Sequence, residues 1–68
     1  MRSTSLFKEH AVVRAKRNLS NNVPTGTRGT IVMVYDENIG DYEVEFLDEQ
    51  GNHLDLLTVN AVDLDSAK

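Results

Sequence analysis

Apolar and polar residues alternate with a period of two along most of this chain, and that spacing is typical of β-strands. The clearest case is a segment in which Tyr42, Val44 and Phe46 alternate with Glu43 and Glu45. Successive side chains of a strand point to opposite faces of the sheet. The segment therefore predicts an antiparallel strand with one face in the core and the other toward solvent.

Three further segments carry strand patterns, separated by runs rich in glycine, asparagine and aspartate. The run from residue 29 to 35 is apolar on both faces, which predicts a central strand that is buried on both sides or gives one face to a partner. Leu54 and Leu56 are expected on the core side of the last strand, and Val62 and Leu64 are spaced to dock a fifth strand or a 3₁₀ turn. The predicted strands cover residues 10–17, 29–35, 41–48 and 53–59, with a polar loop at 18–26 and turns at 36–40 and 48–52.

Short strands at about ten-residue spacing predict an all-β fold, a small barrel or strongly bent sheet of about five antiparallel strands. A chain of 68 residues builds one core, so residues 1–68 are expected to form a single domain with frayed ends at 1–6 and 66–68. Domains this small are usually stabilised by disulfides, metals or association. Because the sequence contains no cysteine and no obvious metal ligands, self-association is a hypothesis that follows from the small size.

The chain is expected to reside in the cytoplasm. No apolar run approaches the length of about 20 residues that spans a bilayer, so no membrane association is predicted. Residues 1–9 also lack the apolar core of a signal peptide.

Two motifs resemble those of known proteins. Residues 26–32 read Gly-Thr-Arg-Gly-Thr-Ile-Val and residues 42–46 read Tyr-Glu-Val-Glu-Phe. This pattern resembles the SH3-like barrels of bacteria and chloroplasts, such as a small barrel protein of photosystem I, the variable chain of ferredoxin–thioredoxin reductase and the β-subunit of nitrile hydratase. With residues 7–13 and 57–59, the motifs are similar to a small uncharacterised bacterial domain family over residues 6–65.

The resemblance implies an SH3-like barrel that acts as a docking or structural subunit, with any chemistry on the partner chain. The motif specifies the fold far better than the function. At the start of the second strand, Gly29 is expected where a Cβ would hinder close packing.

The formal net charge of −4 hides a division between the two halves of the chain. Residues 1–35 hold six Lys and Arg against one acid, whereas residues 36–68 hold one Lys against ten acids. The basic cluster of Arg14, Lys16, Arg17 and Arg28 could follow a phosphate backbone and makes RNA or DNA a candidate partner. Two observations oppose it: the acidic second half, and the expectation that the aromatic residues Phe7, Tyr35, Tyr42 and Phe46 mostly belong to the core, which leaves no base-stacking platform.

The acidic residues of the third strand and the following turn, Glu43, Glu45, Asp48 and Glu49, allow two interpretations. Charge on a strand can simply keep the sheet soluble and prevent edge-to-edge aggregation. The sharper interpretation is a docking face for a basic partner, with electrostatically steered association. A third uses both halves, since the basic half of one copy could meet the acidic half of the next.

The sequence predicts no catalytic residue, no metal site and no cofactor. His53 and Asp55 are expected on one strand face, with His10 as a further candidate ligand, but a metal site needs three or four ligands. Glu43 and Glu45 share a face, yet paired carboxylates need a desolvating pocket to act as acid and base. A barrel of 7.6 kDa has little room for such a pocket.

The sequence therefore predicts a non-enzymatic protein-interaction module. Its acidic residues would engage a basic partner or a second copy, as in a small antitoxin or immunity protein. The exposed apolar positions of residues 29–35 would be covered by that partner. The alternatives are an RNA- or DNA-binding barrel that uses the basic cluster, and an accessory subunit of a larger enzyme.

Overall fold

The computed structural model of the chain describes residues 7–36 and 40–67. Five antiparallel strands form one unclosed sheet in the order β4-β3-β2-β1-β5. The strands are β1 (Val12–Ala15), β2 (Arg28–Asp36), β3 (Asp41–Leu47), β4 (His53–Asn60) and β5 (Leu64–Ser66), and a 3₁₀ turn, Ala61–Asp63, joins β4 to β5. The prediction of an all-β fold of five short antiparallel strands is confirmed. The part of the chain that the structure describes contains no helix that could span a membrane.

The core lies on the side of the sheet that the alternation in β3 predicts. Tyr42, Val44 and Phe46 are all fully buried. They pack with apolar side chains from every other strand and from the loop before β2, namely Val13, Ala15, Val23, Ile31, Val59 and Leu64. Gly29 lies against this cluster, and a Cβ built there would come within 2.7 Å of Val44 Cγ1. The expectation of close packing at Gly29 is confirmed.

The two apolar faces of β2 have different environments. Ile31 is buried, but Val32, Met33 and Tyr35 are all exposed. The pairing of β2 with β3 shifts register at two places, between Ile31 and Met33 and between Val34 and Asp36. Each irregularity disturbs the strict alternation and turns an apolar side chain outward. The alternative in which β2 is buried on both sides is therefore wrong, and one face of β2 is open. The expectation that Tyr35 belongs to the core is wrong.

β4 also departs from the predicted alternation. Phe46 pairs with Asp55 whereas Leu47 pairs with His53, so Leu54 is an extra residue in the ladder. The bulge reverses the faces of the residues that follow it. Leu54 and Leu57 pack against the core, but Leu56 is exposed, so the prediction that places Leu56 in the core is wrong.

The C-terminal segment docks as a 3₁₀ turn followed by a short strand. Leu64 is buried as predicted, while Val62 points to solvent. Ser66 pairs with Val13 in β1, and the Ala67 N–H donates to the Val12 carbonyl, so the backbone is paired to residue 67. The predicted fraying at residues 1–6 and 68 lies outside the described residues, as does the middle of the turn at 36–40.

Candidate functional site

The face of the sheet turned away from the core carries a row of side chains that runs across four strands. Val12 pairs with Thr30, Thr30 with Glu45, and Glu45 with Leu56. A second row runs beside the first on the same face, where Met33 pairs with Glu43 and Glu43 pairs with Thr58. We call this surface the outer face and define it by these two rows together with Val32 and Tyr35.

The outer face is rich in exposed apolar side chains. They are each 38–55% exposed and comprise Val12, Val32, Met33, Tyr35 and Leu56. Scattered single apolar residues are normal on protein surfaces, but a contiguous group marks a surface that other molecules cover. Four of the five lie on the adjacent strands β1 and β2, and Leu56 lies on β4, so they flank the two carboxylates of β3 on both sides.

Glu43 is held in place by two hydroxyl groups from the strands on either side. Thr58 Oγ1 donates to Glu43 Oε1 at 2.6 Å, and the Tyr35 hydroxyl donates to the same oxygen at 3.1 Å. The hydrogen bond to Glu43 raises the pKa of Tyr35 above its ordinary value of 10.0. Among the described residues no donor reaches Oε2, so this oxygen is displayed at a fixed place on the outer face.

Glu45 has a different partner. Its Oε2 lies 3.1 Å from Nδ1 of His53, which follows the β3–β4 turn. The side chains of Glu43 and Glu45 are both half-buried. The prediction that they share a face is confirmed by the alternating burial along β3.

Asp48 and Glu49 lie in the β3–β4 turn and not on the outer face. Oδ1 of Asp48 accepts from the backbone N–H groups of Gln50 and Asn52, at 2.9 and 2.8 Å. The hydrogen bond from the Asn52 backbone lowers the pKa of the Asp48 carboxyl below its ordinary value of 3.8. Gly51 closes the turn with a φ of +88°, as the sequence predicts. The four predicted acidic residues are therefore divided between a face and a turn.

Three of the four predicted basic residues bind to the chain itself. Lys16 Nζ lies 3.6 Å from Asp65, and Arg17 forms an ion pair with Asp63. Arg14 donates from Nη1 to the Gly26 carbonyl at 2.9 Å. Arg28 is exposed and has no hydrogen bond or ion pair within the described residues.

The metal-ligand candidates point apart. Because the bulge at Leu54 separates them, His53 contacts Glu45 on the outer face whereas Asp55 accepts from Ser20 Oγ at 3.1 Å. The expectation that His53 and Asp55 share a face is therefore wrong. His10 is exposed in the turn before β1. Over residues 7–36 and 40–67, no three His, Cys, Asp or Glu side chains form a group that could hold a metal ion.

Sequence reasoning missed the two hydroxyl groups that orient Glu43. Thr58 is identifiable only when β4 is paired with β3 in the correct register, which depends on the bulge at Leu54. Tyr35 lies in an apolar run, and its exposure follows from the second irregularity of β2. Neither irregularity has a local sequence signal, since no glycine or proline marks it.

The comparisons with known proteins give a family but no function. Residues 9–66 match a family described as a domain of unknown function, DUF4926. No curated protein and no solved structure matches the chain significantly. The predicted similarity to a small uncharacterised domain family is confirmed.

Proposed function

The chain belongs to this family of domains of unknown function, and we propose that it is a non-enzymatic protein-binding module whose outer face docks a basic protein. The observation that carries the proposal is the group of five exposed apolar side chains around Glu43 and Glu45. Apolar area supplies affinity when water is removed from it. The carboxylates at its centre supply selectivity for a partner with lysine or arginine.

The rigidity of Glu43 supports this function. A carboxylate that is already oriented loses less conformational freedom when a partner binds. The two hydroxyl donors both use Oε1, so a guanidinium or ammonium group of the partner can approach Oε2 without breaking either bond. Charge-assisted hydrogen bonds of that kind are stronger than neutral ones.

The same carboxylates argue against a second copy as the main partner. Two copies centred on each other's outer face would oppose Glu43 and Glu45 of one to those of the other. Like charges brought together in an interface cost several kcal/mol, on the order of what a small apolar patch contributes. A basic protein removes this conflict.

The strand order supports an SH3-like assignment for the fold. β1 lies between β2 and β5, and the 3₁₀ turn leads from β4 into β5. Residues 1–68 would then form one SH3-like domain. We further propose that this domain resides in a bacterial cytoplasm.

Antitoxin, immunity protein and assembly factor are three roles in which a small acidic domain covers a basic surface. In each of these roles the outer face would be the docking surface.

The experiment compares charge reversal on the outer face with charge reversal in the turn. A photo-crosslinker placed at Met33 in the full chain traps what covers this face in cells, and mass spectrometry identifies it. We expect a basic protein whose capture falls with rising salt and is lost in Glu43→Lys. The matched control Glu49→Lys changes the net charge equally but lies in the turn, so it should retain the partner.

Four results would overturn the proposal. In the first, Glu43→Lys and Glu49→Lys reduce capture equally, and in the second, capture is unaffected by salt. In the third, the crosslinker at Met33 traps only other copies of the chain, and in the fourth it traps nothing. Val12→Asp serves as a second variant and should also reduce capture, because it places a charge in the apolar part of the face on β1, a strand that does not pair with the strand of Glu43. Circular dichroism of each variant checks that the sheet is intact.

A further inference from the structure

An open groove of about 530 Å³ lies beside the outer face, between the loop that precedes β2 and the β3–β4 turn. Arg14 and Arg28 line one part of it, and Pro24, Leu47 and Leu54 supply apolar surface. The outer-face proposal does not use these residues. The groove is therefore a separate candidate site.

The two arginines are direct neighbours across β1 and β2, where Arg14 pairs with Arg28. The Ala15 N–H donates to the Thr27 carbonyl and the Ile31 N–H to the Ala11 carbonyl, so the hydrogen-bonded pairs fall at the odd-numbered residues of β1. Arg14 and Arg28 thus form a non-hydrogen-bonded pair, in which side chains approach most closely. Like charges placed directly opposite each other are destabilising.

Neither arginine of this pair forms an ion pair within the described residues. Within that part of the chain the ion pairs of Lys and Arg are Lys16 with Asp65 and Arg17 with Asp63. Asp48 also lines the groove, but its oxygens accept hydrogen bonds from Gln50 and Asn52 in its own turn. The groove therefore contains two guanidinium groups without an ion-pair partner of their own, although Asp48 and Glu49 also line it and Arg14 donates one hydrogen bond to the Gly26 carbonyl.

The chemistry of the groove limits what can fill it. Guanidinium groups bind carboxylates and phosphates through paired N–H donors. A nucleic-acid backbone is a poor fit because its successive phosphates would pass the carboxylates of Asp48 and Glu49 at the rim. A single carboxylate next to an apolar group satisfies both the arginines and the leucines.

We propose that the groove binds the carboxy-terminal end of a polypeptide whose last residue is apolar. The terminal carboxylate pairs with Arg14 and Arg28, and the last side chain packs on Leu47 and Leu54. The groove is open to solvent, so the preceding residues of the ligand can leave it without passing through the protein. This function is independent of whether a basic protein docks on the outer face.

The test uses amide spectra of the full isotope-labelled chain titrated with the peptide N-acetyl-Gly-Ala-Leu. The free acid should shift the amide signals of Gly26, Thr27 and Arg28, and the carboxy-terminal amide of the same peptide should bind at least about tenfold more weakly. Arg28→Gln should weaken the free acid several-fold. The matched control Lys16→Gln removes the same charge from the Asp65 ion pair outside the groove and should leave binding unchanged.

Four outcomes overturn the proposal. Equal shifts with the acid and the amide would show that the terminal carboxylate is not recognised. If Lys16→Gln weakens binding of the free acid as much as Arg28→Gln does, binding depends only on the overall charge of the chain. Tighter binding of a short oligonucleotide at the same amides would assign the groove to phosphate. Binding of N-acetyl-leucine as tight as that of the peptide would assign it to small carboxylates. The comparison of acid with amide uses the unaltered chain, so it stands even if an arginine variant does not fold.

Discussion

Asp63, the last residue of the 3₁₀ turn, forms an ion pair with Arg17, which lies just beyond the end of β1. Its second oxygen accepts from the Asn60 N–H at 3.0 Å, and its backbone carbonyl accepts from the Lys16 N–H at 2.8 Å. Only 7% of Asp63 is exposed. One buried acid therefore joins the C-terminal end of β4 to the C-terminal end of β1, and it aligns β5 for pairing.

Replacing this acid should destabilise the fold far more than replacing its neighbour in β5. Asp63→Ala removes a charged hydrogen bond to a backbone N–H and a partly buried ion pair, and should lower the free energy of unfolding by about 1.5–3 kcal/mol. Asp65→Ala removes an ion pair whose two side chains are more than half exposed, which costs less than about 1 kcal/mol. Urea denaturation of both variants measures the difference. Similar losses would show that the contacts of Asp63 have no structural role.

Gly29 offers a test of packing in which two effects oppose each other. Alanine restricts the unfolded chain and by that effect alone would stabilise the fold by about 0.4–1 kcal/mol. The new Cβ would lie 2.7 Å from Val44 Cγ1 and 2.8 Å from Phe46 Cδ1, and overpacking of this kind costs about 1–3 kcal/mol. We expect Gly29→Ala to destabilise the domain. In a Val44→Ala background the penalty should shrink, and a penalty that stays the same would contradict the contact.

The local pattern of the sequence is sufficient to predict the all-β fold and the core face of β3. In β3, half-buried and buried residues alternate without interruption from Asp41 to Leu47, as the sequence pattern predicts. In β2 and β4 the alternation is interrupted by irregular pairing. A bulge is determined by how two distant segments match, so the exposure of Tyr35 and Leu56 could not be read from either segment alone.

The same distinction applies to the charged residues. Glu43 and Glu45 could be placed on an exposed face because alternation is local. The ion pairs of Lys16 and Arg17 depend on the pairing of β1 with β5, which brings together residues far apart in the chain. The basic cluster that the sequence groups by proximity is therefore divided by the fold, with only Arg14 and Arg28 side by side.

Because the Asp48 carboxylate accepts hydrogen bonds in the β3–β4 turn, we expect the free energy of unfolding to depend on pH. Because the folded pKa of Asp48 lies below 3.8, the folded state favours the charged carboxylate. This stabilisation is fully present above the unfolded pKa and is lost as the pH falls through the folded pKa. Asp48→Asn keeps an oxygen that can accept from the turn but lacks the charge. The gap in urea midpoint between wild type and Asp48→Asn should therefore be largest near neutral pH and should shrink below pH 3.8. A gap that is constant with pH would show that charge does not stabilise the turn.

Adjacent leucines in β4 test the bulge directly. Leu57 pairs with the buried Val44 and packs against the core, whereas Leu56 pairs with Glu45 and is half exposed. Leu57→Ala should cost about 2 kcal/mol or more, because it removes packed methyl groups and leaves a cavity. Leu56→Ala should cost less than about 1 kcal/mol. The two substitutions carry the same intrinsic change in strand propensity, so their difference reports burial alone. The simple alternation from His53 predicts the opposite order, and urea denaturation of the two variants decides between the registers.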